Sequence, residues 1–96
     1  MLVVITYDVN ITQGSGAKRL RKISKLCERY GVRVQNSVFE VLVDSAQMAM
    51  LKSEIESVID PQRDSVRFYR LGNSYKQKIG MIGKSRPIES GEPMLL

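Results

Sequence analysis

Two stretches of this chain are apolar on both faces of the strand they would form, and the chain holds only two helices to cover them. Leu2-Val3-Val4-Ile5-Thr6-Tyr7-Asp8 is short, rich in β-branched residues and closed by polar ones, the pattern of a buried strand. Over residues 38–43, Phe39, Val41 and Val43 alternate with Val38, Glu40 and Leu42, and both sets are largely apolar. A sheet with such strands at its centre needs cover on both sides.

The rest of the pattern supplies one of those covers. Leu20, Ile23, Cys27 and Tyr30 recur at i, i+3, i+7 and i+10 with Leu26 beside them, which predicts an amphipathic helix from about residue 16 to 30. Gly31 reads as its C-cap. A strand from Val32 reverses near Gln35-Asn36-Ser37 into the strand holding Phe39. Asp44 with Gln47 at N3 forms a variant capping box. The second helix carries Met48, Leu51, Ile55 and Val58 on one stripe, and Pro61 ends it. A fourth strand covers residues 65–71, broken by Gly72-Asn73, and a polar tail ends in Met94-Leu95-Leu96. Strand, helix, strand, strand, helix, strand is the α+β, ferredoxin-like split βαβ plan. Its helices cover one face only. A second copy would cover the other, giving a two-fold homodimer with the apolar tip docked on its partner.

At 96 residues the chain makes one small domain. No segment reaches the roughly 18 apolar residues a membrane span needs, and no signal peptide is evident, so a cytoplasmic protein is expected. Cys27 stands alone and histidine is absent. That excludes a disulfide framework, His-dependent triads and His-ligated metals. The net charge of +5 is uneven. Residues 1–36 hold Lys18, Arg19, Arg21, Lys22, Lys25, Arg29 and Arg33 against Asp8 and Glu28, and the remainder is balanced. Lys18, Lys22, Lys25 and Arg29 fall on one helix face as a basic rail. Such asymmetry suits a polyanionic partner, with a solvated helix face as the plainer reading.

Asp8 closes the first strand. A carboxylate is a hard ligand for Mg²⁺ or Mn²⁺. One per chain is too few, but a two-fold axis would bring two together. An ion so held could activate water and polarise a phosphoryl group. Taken alone, Asp8 reads more readily as a turn-forming or loop-capping residue after a strand.

Four segments in order carry a resemblance over nearly the whole chain. They are Ile5-Thr6-Tyr7-Asp8-Val9, Lys18-Arg19-Leu20-Arg21-Lys22, Arg33-Val34-Gln35-Asn36-Ser37-Val38-Phe39-Glu40 and Tyr69-Arg70-Leu71-Gly72. Together they resemble the smaller of the two universal CRISPR adaptation proteins, the Cas-two family. A similar fold occurs in VapD-type toxin ribonucleases. The resemblance implies a homodimer in which residues 1–75 form the ferredoxin-like domain. The segment 76–96 would add a strand to the partner's sheet. It implies a metal aspartate at Asp8, with Tyr7, Ser37 and Phe39 as further site residues and Arg19, Arg21 and Arg33 at other implicated positions. It implies one of two roles in antiviral defence. The first is a Mg²⁺-dependent endonuclease on single-stranded RNA or double-stranded DNA. The second is an architectural dimer that clamps duplex DNA and bridges two dimers of the integrase partner, Cas-one.

Overall fold

The computed structural model describes residues 1–12 and 14–83, with the backbone of 87–89 and 92–93. Its elements are β1 (Leu2–Asp8), α1 (Gly16–Glu28), β2 (Gly31–Gln35), β3 (Val38–Leu42), α2 (Ser45–Val58), β4 (Ser65–Gly72), a 3₁₀ turn (Lys76–Lys78), β5 (Pro87–Glu89) and β6 (Glu92–Pro93). The first four strands form one sheet in the order β2-β3-β1-β4, every neighbouring pair antiparallel. This is the expected ferredoxin-like arrangement, with β1 and β3 at the centre.

The helix face is the main core. Val3, Ile5 and Tyr7 of β1 and Phe39 and Val41 of β3 pack under Ile23, Leu26 and Cys27 of α1 and Met48, Leu51 and Ile55 of α2. Phe39, Ile5, Ile23, Leu51, Ile55, Val3, Val41 and Cys27 are fully withdrawn from water. Each of the larger side chains contributes about 1.5–3 kcal/mol by its burial. The capping box forms as expected. Gln47 N–H donates to Asp44 Oδ1 at 2.7 Å, and Asp44 N–H donates to Gln47 Oε1 at 3.0 Å.

Two details differ from the sequence-based expectation. Helix α1 stops at Glu28, and Gly31 is the first residue of β2 rather than a left-handed cap. Glycine is required there by crowding, because a Cβ would sit 1.9 Å from the Glu40 carbonyl oxygen of β3. The second difference concerns the open face of the sheet. Leu2 is buried there under Tyr75, with Leu42, Leu71 and Ile79 around them, so the chain covers one end of that face itself. Ile79, just past residue 75, packs against this cluster. Beyond the main sheet, β5 pairs with β6 in a separate two-stranded ribbon close to β2 and β3. The tip Met94-Leu95-Leu96 lies outside the described residues. No described helix is long and apolar enough to cross a membrane.

Candidate functional site

The antiparallel register gathers three connections at one end of the sheet. Asp8, at the end of β1, pairs with Ser65, the first residue of β4, and Thr6 pairs with Val38 at the start of β3. The β1–α1 loop, the β2–β3 turn and the α2–β4 loop therefore meet around Asp8. Side chains alternate along a strand. Tyr7 points into the helix-covered core, so Asp8 points to the open face, where it is solvent-exposed.

The residues beside Asp8 act from inside. Tyr7 is 4% exposed. Its hydroxyl shares a 3.0 Å hydrogen bond with Ser24 Oγ of α1 and donates to the Asn36 carbonyl at 3.4 Å. Its backbone N–H donates to the Ser37 carbonyl at 3.0 Å. Phe39 is fully buried and stacks on the Tyr7 ring, centroids 6.1 Å apart. The Arg33 guanidinium lies 5.5 Å from the Phe39 ring centre, a cation–π geometry. Tyr7 and Phe39, expected as site residues, thus lie almost wholly inside the protein. They hold the β2–β3 turn against the end of β1, and Ser37 joins that arrangement through its carbonyl.

Arg19 also stands elsewhere than expected. It is drawn away from the exposed basic rail of α1. Its Nε donates to Asp64 Oδ2 at 2.7 Å and its Nη2 to Asp64 Oδ1 at 3.3 Å, and the side chain is 11% exposed. Its other donors reach Ser15 Oγ and the Asn10 carbonyl. Asp64, fully buried at its side chain, also accepts from the backbone N–H of Asn10 and of Asp60. The Arg19 guanidinium holds the Asp64 carboxyl below its usual value, and the two backbone donors act in the same direction against the effect of burial. One carboxylate thereby ties the β1–α1 loop, helix α1 and the α2–β4 loop together behind Asp8. The sequence reading missed Asp64. The signal was present, since Asp64 stands at the mouth of β4 as Asp8 does at the mouth of β1.

Lys18, Arg21, Lys22 and Lys25 are exposed along α1, and among the described residues none forms an ion pair. Arg29 meets Glu54 of α2 at 3.2 Å in an exposed pair, which contributes little to stability. The rail lies on the helix side of the sheet, opposite the face to which Asp8 points.

Asp8 offers the right kind of donor for Mg²⁺ or Mn²⁺, an exposed carboxylate. The number of donors in one chain falls short. Among the described residues, no group of three or more His, Cys, Asp or Glu could share an ion.

Comparison with known proteins gives a consistent answer. Residues 1–79 match the family described as CRISPR associated protein Cas2. A CRISPR-associated endonuclease Cas2 of Halalkalibacterium halodurans is 54% identical over 95 residues, which cover 99% of each chain. A CRISPR-associated endoribonuclease Cas2 of Rhodospirillum rubrum is 42% identical over 99% of this chain and 100% of its own. Among solved structures, Streptococcus pyogenes Cas2 aligns with a TM-score of 0.77 and 46% identity, covering 86% of this chain and all of its own.

Proposed function

The chain belongs to the CRISPR associated protein Cas2 family, and from that premise we propose that it is a cytoplasmic, metal-dependent endonuclease that cleaves phosphodiesters at Asp8. The observation that carries this reading is the exposed carboxylate of Asp8, placed where three connections meet and backed by the Asp64 clamp. Relatives bear the names endonuclease and endoribonuclease, so double-stranded DNA and single-stranded RNA are both candidate substrates.

One Asp8 supplies too few ligands, so we assign the working unit to a homodimer that brings together Asp8 from each copy. The half-buried Val4, Val32 and Val38 on the open face support a second copy as its cover. The two Asp8 carboxylates would hold Mg²⁺ or Mn²⁺, which when bound supplies Lewis-acid polarisation of the phosphodiester. The chain's part is to present that carboxylate rigidly. β1 fixes its direction, Tyr7 fixes the turn on one side, and Asp64 fixes the loops on the other. The exposed rail of Lys18, Arg21, Lys22 and Lys25 would hold the flanking nucleic acid by its phosphates, without reading sequence. An integrase partner, which the family resemblance implies, would share that surface.

The test compares purified wild type with Asp8→Asn on single-stranded RNA and double-stranded DNA, with Mg²⁺ and with EDTA, alongside sedimentation. Asn keeps the shape and one oxygen but loses the charge that attracts the ion. Cleavage is expected to fall to background in the variant and in EDTA, at unchanged dimer mass. Equal cleavage by both proteins, or a monomer at low micromolar concentration, would overturn the proposal.

A further inference from the structure

The rail and Asp8 lie on opposite faces of the sheet, so the rail of one chain cannot neutralise a phosphate lying on that chain's Asp8. A phosphodiester presented to two carboxylates needs a cation on the carboxylate's own face. The register shows where one stands. Ser65 pairs with Asp8 and Arg67 pairs with Thr6, so Arg67 projects from the same face as Asp8, one cross-strand pair further along. That diagonal spacing is about 7–8 Å between Cα atoms, within reach of one phosphate group held between a carboxylate-bound ion and a guanidinium.

The neighbouring arginines are otherwise engaged. Arg19 is held by Asp64 and Arg63 lies 3.8 Å from Asp60. Arg33 lies over Phe39. Arg70 pairs with Val3 and so belongs to the helix-face register. Lys76 and Lys78 follow β4 at the opposite end of the sheet, beyond Gly72, which pairs with Leu2. Arg67 is exposed and forms no ion pair among the described residues. Its Nη1 makes one long hydrogen bond, 3.4 Å, to the Tyr69 hydroxyl. That contact leans the guanidinium along the strand while leaving most of its donors available. A planar fork with free donors is the side chain that grips a phosphate in two places.

We infer that Arg67 is a substrate-binding residue of the Asp8 site, holding the phosphodiester on the open face. The inference rests on Asp8 being the cleavage site. Its test has two readouts, single-turnover cleavage and the salt dependence of oligonucleotide binding, applied to Arg67→Gln, Arg67→Lys and Tyr69→Phe. For Arg67→Gln, cleavage is expected to fall about 10²-fold, the effect of removing a donor aimed at developing charge. The slope of log K against log salt should flatten by about 0.7 on single strands or 0.9 on duplex. Arg67→Lys should restore the slope but not the full cleavage rate, and Tyr69→Phe should change both only slightly. An unchanged slope in Arg67→Gln overturns the inference. So does a change in its sedimenting mass, which would assign Arg67 to subunit contact instead. If wild type shows no Asp8-dependent cleavage, the nuclease reading fails, while the salt slope still decides whether Arg67 meets phosphate.

Discussion

The two faces of the sheet are built from the same strands yet obey different rules. On the helix face, Val3, Ile5, Tyr7, Phe39 and Val41 are closed off from water, and among the described residues no buried side-chain N or O lacks a partner. The Tyr7 hydroxyl, for example, is shared with Ser24 and Asn36. On the open face, among the described residues, the Leu2 end is sealed by Tyr75. From there the face grows wetter and more charged, through Val4 and Glu40, then Thr6 and Arg67, to Asp8. Moving one residue along β1 crosses from one regime to the other. The difference teaches where to look for chemistry. The aromatic pair of Tyr7 and Phe39 is packed into the helix-face core, and the side chains open to solvent are those on alternate positions of β1.

The comparison can be broken most forcefully from the helix side. Phe39→Ala should cost about 3–5 kcal/mol, the loss for a fully buried aromatic, read as a lowered midpoint in urea. A change under 1 kcal/mol would mean that this face is not the principal core. Next comes Asp64→Asn, which leaves Arg19 without its counter-charge; a fall in Tm on the order of 10 °C is expected at pH 7. The Asp64 carboxyl is held below its ordinary 3.8 in the folded state. Its stabilisation is therefore present above that value and lost as pH falls through the lower, folded one. Wild type and variant should converge in that acid range, and a gap that persists there would point to packing instead of charge.

Smaller effects sharpen the boundary between the faces. Tyr7→Phe should lose about 1 kcal/mol with the Ser24 hydrogen bond and leave cleavage at the wild-type level. Cleavage falling as far as in Asp8→Asn would move Tyr7 from the scaffold to the chemistry. Glu40→Gln is expected to be mildly stabilising at neutral pH. Burial raises the Glu40 carboxyl above its usual 4.5. Wild-type stability is therefore fully present below that value and declines as pH rises through the raised one. Glu40 is only half-buried, so the gain should be small, about 2–4 °C in Tm at pH 7 and nothing at pH 4. Heat scans at the two pH values decide it, and equal curves at pH 7 would show that Glu40 is well solvated.

What could be read from the sequence was whatever is decided locally. The Asp44 to Gln47 capping box spans four residues, and the order of strands and helices follows from periodicities within each segment. What could not be read depends on partners far along the chain. Composition groups Arg19 with the basic helix, yet its partner Asp64 is 45 residues away. Helical rotation of about 100° per residue already turns Arg19 off the stripe of Lys18, Lys22 and Lys25, so half of that placement was available. The opposition of Asp8 and the rail needed the sheet register. So did the crowding at Gly31, where a capping glycine and a glycine pressed against a neighbouring strand look identical in one dimension.

The four-donor grip of Asp64 has a consequence for how the molecule breathes. Loops ordinarily open first and trade their amide protons with solvent long before strands do. Here the Asn10 and Asp60 amides, on two separate connections, end on one buried carboxylate at 3.2 and 2.8 Å. The Asp64 amide in turn donates to the Asp60 carbonyl at 2.8 Å. In a deuterium-exchange experiment the Asn10 and Asp60 amides should be retained on the timescale of β1, and they should exchange together, because releasing either requires the same carboxylate to let go. The end of the sheet that carries Asp8 would then open as a single unit with the central strands.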